Sequence, residues 1–363
     1  MFLLSLLAAS LALVAGPPPG TAAVTVATAP GQVFVEERTD AHLNFDFSVS
    51  ADTGSLWLKK IEVSVYDSSG ALVLRKFVDN NGFSPAVTGL SHRVFAPGQA
   101  ALFFNPFHTF SPDVDLARLA YSFEFETAKH QPVTAQLDVR PARYQPHAAL
   151  HLPLTGHLLV WDSHDENAHH RRLDFLHPVA QQFGIRSNFM RFAHDLVVVN
   201  AQGDTHTGTG KHNTDYPGFN QAVLAPAAGR VVAAYAEQRD NDNGEDYCAP
   251  RAMTTKDLML LYGNYLVVDH GNGEFSLFGH LGQHKLLVKV GDEVRQGQPL
   301  ARVGSSGNSY FPHLHYELRT GATLNVEGLP AYFQQFELAR GSRTHRIKRG
   351  TVDSGDFLIQ AAR

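Results

Sequence analysis

Seven residues, Pro312-His313-Leu314-His315-Tyr316-Glu317-Leu318, carry the clearest chemistry in the chain. Apolar and polar positions alternate there with the two-residue period of a β-strand. Residues two apart on a strand project to one face, so His313 and His315 are expected side by side. Two imidazoles on a rigid edge begin a zinc site. Zinc asks for at least three protein ligands and, for catalysis, an open position. A bare His-x-His also arises by chance in a chain with 20 histidines, so the pair needs partners elsewhere.

Three further stretches stand beside it. Arg191-Phe192-Ala193-His194-Asp195-Leu196-Val197-Val198-Val199 alternates as a strand over Phe192 to Val199 and holds two adjacent titratable groups. Neighbouring strand residues face opposite sides, so one of His194 and Asp195 is structural. Ser276-Leu277-Phe278-Gly279-His280-Leu281 places His280 at the end of an apolar strand. The loop Gly304-Ser305-Ser306-Gly307-Asn308-Ser309 feeds into Pro312-His313 and is expected to leave backbone amides free nearby.

The chain has 363 residues, enough for two domains, and its 44% hydrophobic and 18% charged content is that of a globular protein with real cores. A formal net charge of −5 and the lack of long Lys/Arg runs argue against a nucleic-acid partner. The apolar run from Met1 to Val14, then Gly16-Pro17-Pro18-Pro19-Gly20 and Ala22-Ala23, reads as a signal peptide over 1–23, too short to span a bilayer. The expected location is therefore the periplasm, the cell envelope or outside the cell, with no membrane span in the mature chain. Cys248 is the single cysteine, which excludes an intrachain disulfide.

The expected fold is mainly β. Over 24–141, alternating runs such as Ile61 to Tyr66 and Tyr121 to Glu126 are separated by turn clusters, which predicts an immunoglobulin-like β-sandwich of unknown partner. Residues 142–151 read as a linker, because Pro141 and Pro146 discourage pairing. Residues 152–340 form a second unit, an antiparallel sheet with few helices, its strands including Gly229 to Tyr235, Tyr265 to His270, Phe275 to Leu281 and Leu314 to Arg319. Asn272-Gly273 marks a hairpin turn within it. A helix is expected near Ala331 to Leu338, and 341–363 read as a tail whose basic stretch, Arg343 to Arg349, is a solvated face.

Five motifs follow in fixed order: Gly263-Asn264-Tyr265-Leu266-Val267-Val268-Asp269-His270-Gly271, Phe278-Gly279-His280-Leu281, Val290-Gly291-Asp292 through Gly297-Gln298, Val303-Gly304-Ser305-Ser306-Gly307-Asn308-Ser309, and Pro312 to Leu318. Over about 190 to 320 this order resembles the lysostaphin-type zinc metallopeptidases, which cleave peptide cross-links of bacterial peptidoglycan. The resemblance implies one zinc ion, with Asp195 and His315 as ligands and His280 and His313 as non-ligand catalytic histidines. Most members carry their first ligand histidine four residues before the aspartate, where this chain has Arg191. The strand resembles a variant subgroup whose first histidine lies farther upstream. That implies His170, with His169 and His212 as the other candidates. Glu317, on the face of His315, either orients that imidazole or forms a plain salt bridge.

Three functions fit to different degrees. The first is an exported zinc endopeptidase for peptidoglycan or another peptide; the second is a metal-free relative that binds or regulates another wall hydrolase. A carbohydrate-binding β-protein with incidental histidines suits the first half but not the ordered motifs of the second. The acidic loop from Glu237 to Lys256 is expected to wall the groove, and its spacing does not match a calcium loop.

Overall fold

The computed structural model describes residues 24–52, 54–242, 245, 252 and 254–361. The expected signal segment 1–23, Cys248 and part of the 237–256 loop lie outside the described residues. The chain is mainly β, and among the described residues helix is confined to short pieces such as Pro178–Gln182 and the 3-10 turn Leu258–Tyr262.

In the first part, a three-stranded sheet (Val24–Ala29, Asp46–Ala51, Ala100–Phe104) shares one core with a larger sheet containing Leu56–Tyr66, Leu72–Asp79, Arg118–Thr127 and Pro132–Val139. Strand alternation puts Tyr121, Phe123 and Phe125 inward, and the Phe123 ring meets Phe47 of the opposite sheet edge-on at 5.1 Å. A small sheet beside them includes Phe34–Glu37 and Ala142–Arg143. The prolines of Arg140–Pro146 predict an unpaired linker, yet Ala142 and Arg143 pair parallel with Phe34 and Val35. Both prolines fall outside that two-residue ladder, so no hydrogen-bonding position is lost.

The second part is built on a ten-stranded sheet whose neighbours are all antiparallel. Its order is Glu293–Val294, Gly229–Tyr235, Asn264–Asp269, Phe275–Leu281, Leu314–Arg319, His194–Val199, Gly156–Asp162, Phe357–Gln360, Phe333–Arg340, Arg343–Gly350. Leu158, Val160, Leu196, Val198, Leu314, Tyr316 and Leu318 line its core face. Period two sends Asp195, His315 and Glu317 to the other face.

The helix expected near Ala331 to Leu338 is instead a strand, Phe333–Arg340, in a hairpin with Arg343–Gly350. Phe333 and Phe336 are both buried in the core, a three-residue spacing that mimics a helix. Gln335, between them, takes φ of +54°, while the pairing register is the same on either side of it, Gln334 with Arg349 and Phe336 with Ile347. One residue in the left-handed region interrupts the alternation, so two inward residues sit three apart on the strand.

Candidate active site

The site grows from three central strands. Asp195 and His315 stand directly across from each other on adjacent strands, with Gly279 opposite His315 on its other side. A side chain at 279 would crowd the site, since its Cβ would lie 3.3 Å from both His315 Cβ and the Tyr262 ring. His280 follows, and in a regular strand it would share the core face with Phe278. Its backbone takes φ of +59°, which is uncommon for a residue with a Cβ. The ring thereby lies 4.7 Å from that of His313 and 5.7 Å from that of His315.

His313 sits just ahead of the Leu314–Arg319 strand, its Nε2 3.6 Å from Asp195 Oδ1 and its Nδ1 2.9 Å from the Phe311 carbonyl. His315 Nδ1 lies 2.9 Å from Asp195 Oδ1, while its Nε2 meets Glu317 Oε1 at 2.8 Å. Glu317 is fixed in turn by Arg319 Nη1 at 2.9 Å and by the Tyr262 hydroxyl, which donates at 2.6 Å. Glu317 thus holds both relations the sequence allowed, orienting an imidazole and pairing with a cation.

His170 comes from the turns before Pro178–Gln182 and is buried. Its Nδ1 is 3.1 Å from the Ser163 carbonyl, and its Nε2 is 3.5 Å from Asp195 Oδ2. Asn188 Nδ2 holds this turn by donating to the His170 and Arg171 carbonyls. His169 is largely exposed and pairs with Asp162. His212 is exposed too, facing Asp242 at 3.9 Å, outside the group of donors. His194 turns to the opposite side, its Nδ1 2.9 Å from Ser163 Oγ and its ring packed on His164 and Phe333.

Asp162 is the residue that sequence reasoning missed. Plain alternation puts it on the core face with Leu158 and Val160. A bulge after Val160 sets it across from Asp195 instead. Donor atoms of Asp162, His169, His170 and Asp195 all lie within 4.8 Å of one another. The one sequence signal was the Asp directly upstream of the His-rich stretch.

Arg191, four residues before Asp195, is fully buried and points away, its Nη1 2.7 Å from Asp46 Oδ2 of the three-stranded sheet. Three of the six amides in the Gly304 to Ser309 loop are engaged: those of Gly304, Ser305 and Asn308 are taken by the His280 carbonyl, Asp240 Oδ1 and the Leu261 carbonyl. The loop also offers the Ser306 carbonyl, which receives His280 Nδ1 at 2.8 Å.

These surroundings set the protonation states. Burial pulls His170 down to about 4 against the pull of Asp195, so it is neutral near pH 7. Burial, then the neighbouring His313 and His315, keep His280 well below its ordinary value. For His315, burial is outweighed by Asp195 and Glu317, which push it up to about 9. Burial also opposes ionisation of Asp195, but His170, His313 and His315 outweigh it and hold the carboxyl well below the usual range.

Comparison with known proteins adds the following. Residues 210–326 match the family described as Peptidase family M23. That segment contains His280, His313 and His315, while His170 and Asp195 lie upstream of it. The chain is 50% identical over 58 residues to the murein hydrolase activator EnvC of Escherichia coli, covering 16% of this chain and 13% of that protein. It is 34% identical over 111 residues to the peptidoglycan DD-endopeptidase ShyB of Vibrio cholerae, covering 28% and 24%. The chain thus spans about a quarter or less of the length of these two relatives. A crystal structure of a zinc containing peptidase from Vibrio cholerae aligns over 82% of this chain and 83% of that one, at 15% identity and a TM-score of 0.26.

Proposed function

The chain carries a domain of peptidase family M23, of the lysostaphin type, and on that premise we propose that it is a zinc-dependent endopeptidase cutting peptide bonds of peptidoglycan cross-links. One observation carries the reading. Each of four buried histidines has one ring nitrogen tied to a carbonyl or carboxylate: His170 to Ser163, His280 to Ser306, His313 to Phe311 and His315 to Glu317. Such outer bonds fix tautomer and ring direction, as around metal-ligating histidines. They leave His170 Nε2, His313 Nε2 and His315 Nδ1 turned towards Asp195.

The donor set fits zinc. Two imidazoles and one carboxylate, His170, His315 and Asp195, are a combination zinc accepts with a position to spare. The high pKa of His315 fits as well, because Asp195 and Glu317 together call for a positive charge beside them. When bound, zinc supplies Lewis acidity towards a carbonyl oxygen and lowers the pKa of water towards neutrality. His280 and His313, with Nδ1 donating to carbonyls, present Nε2 as proton acceptors for the attacking water. Once protonated, the same nitrogens donate to the developing oxyanion and then to the leaving amine. The apolar N-terminal stretch supports export to the envelope, where such a substrate lies.

Zinc content by elemental analysis, on wild type beside His170→Ala and His315→Ala, tests the site, and hydrolysis of isolated peptidoglycan tests the activity. About one zinc per chain, lost in both variants, together with cleavage by the wild type, is the expected result. Zinc lost only in His315→Ala moves the third ligand to His169 or Asp162. The relative named a murein hydrolase activator favours a second reading, a non-catalytic module acting on another wall hydrolase. Wild type that takes up no zinc would favour it.

A further inference from the structure

The bulge that sets Asp162 across from Asp195 leaves Trp161 with no partner in that ladder. Bulges beside active sites commonly re-aim a side chain in this way. The Trp161 ring is 53% exposed and lines the cavity of about 680 Å³ that also holds Asp195, His313 and His315. It meets the Phe311 ring edge-on at 5.1 Å, and Phe311 stacks on Tyr216 at 5.7 Å with the two planes 15° apart. Tyr310, 61% exposed, lines the same cavity. Four aromatic rings from three separate segments thus gather beside the histidines. Phe311 joins the two groups, since its ring lies 5.3 Å from that of His313 and its carbonyl holds His313 Nδ1 at 2.9 Å.

The polar groups nearest these rings are neutral. Asn167 and Asn308 are exposed in the cavity lining, and among the described residues their side-chain amides make no hydrogen bond. The described lining holds no lysine or arginine, so a polyanion would find no cation there. Exposed rings rimmed by polar groups mark a binding surface. A pyranose ring is its complement. One face of the sugar is a set of C–H bonds that suits the negative face of an aromatic ring. Its rim of hydroxyl and amide groups suits neutral donors and acceptors such as the two asparagines. We propose that Trp161, Tyr216, Tyr310 and Phe311 form a sugar subsite that seats a glycan of β-1,4-linked N-acetylated hexosamines beside the histidines. The inference rests on the peptidoglycan reading, and it adds the glycan strand to the peptide as a recognised part of the substrate.

The probe is N-acetylchitotetraose, which carries this sugar chemistry and no peptide, titrated into the full chain. Trp57 and Trp161 are the two tryptophans, so Trp57→Phe leaves Trp161 as the sole indole reporter. A saturable change in its emission is expected. By calorimetry, Trp161→Ala and Tyr310→Ala are each expected to weaken binding at least about tenfold, the scale of loss when an aromatic anchor is truncated. Trp161→Phe, which restores a ring, is expected to regain most of that loss. No saturable binding of the sugar, or an affinity that neither alanine variant lowers in folded protein, would overturn the proposal. If the protein takes up no zinc or leaves peptidoglycan uncut, the peptidase reading fails by itself. The titration needs neither zinc nor cleavage, so it still decides the subsite: ring-dependent sugar binding upholds it, and its absence overturns it.

Discussion

Asp46 lies far from the site in sequence, yet replacing it is expected to unfasten the site. Its Oδ2 is 2.7 Å from Arg191 Nη1 and its Oδ1 is 3.8 Å from Arg171 Nη1. All three side chains are almost completely buried. At an effective dielectric of about 20, these distances correspond to gross attractions of roughly 6 and 4 kcal/mol. Desolvation offsets most of that, but removing one partner leaves the others buried and uncompensated, at a cost of about 3–5 kcal/mol. Arg171 follows His170 directly, and Arg191 stands one turn of chain before Asp195, so the strain falls on two candidate ligands. Asp46→Asn is therefore expected to lower the urea midpoint by about 1–2 M and to reduce zinc content in the protein that stays folded. Arg191→Met alone is expected to cost less, and the double variant less than the sum of the two singles. An unchanged midpoint in Asp46→Asn, or strict additivity in the double variant, would refute the coupling.

Three other outcomes are expected. Glu317→Gln weakens the grip on His315 Nε2 and is expected to cost about 10–100-fold in zinc affinity, measured by competition with a chelator. Gly263→Ala puts a Cβ 2.4 Å from the Ser306 backbone at a φ of +66°, so it is expected to displace the carbonyl that holds His280. Peptide hydrolysis falling while zinc content is kept would be its signature. Burial resists ionisation of Glu36, but Arg38 and His164 outweigh it and hold its carboxyl far below the usual range. A carboxyl depressed in the folded state stabilises fully above its unfolded pKa and loses that contribution as pH falls. Urea midpoints are thus expected to decline from about pH 4.5 downward, and Glu36→Gln to flatten that decline.

Local chemistry made part of this protein legible. The alternation through Pro312 to Leu318 gave the strand and the common face of His313, His315 and Glu317, because side-chain direction on a strand depends only on parity. The same parity separated Asp195 from His194, which the fold turns to opposite sides. Parity fails wherever the ladder slips or the backbone turns left-handed. The bulge before Asp162 and the left-handed residues His280 and Gln335 each move a side chain to a face that alternation forbids. Sequence near Asp195 likewise held no sign that Arg191 pairs with an aspartate 145 residues away.

By itself, then, the sequence determined the residue types available for chemistry, the strands that carry most of them and the mainly β architecture, all of which follow from short-range periodicity. Tertiary structure alone decided that His170 and His169 come near Asp195 while His212 does not, that Asp162 joins the group, and that leucines flank it. Those outcomes depend on register, bulges and the packing of distant segments, which no local pattern encodes.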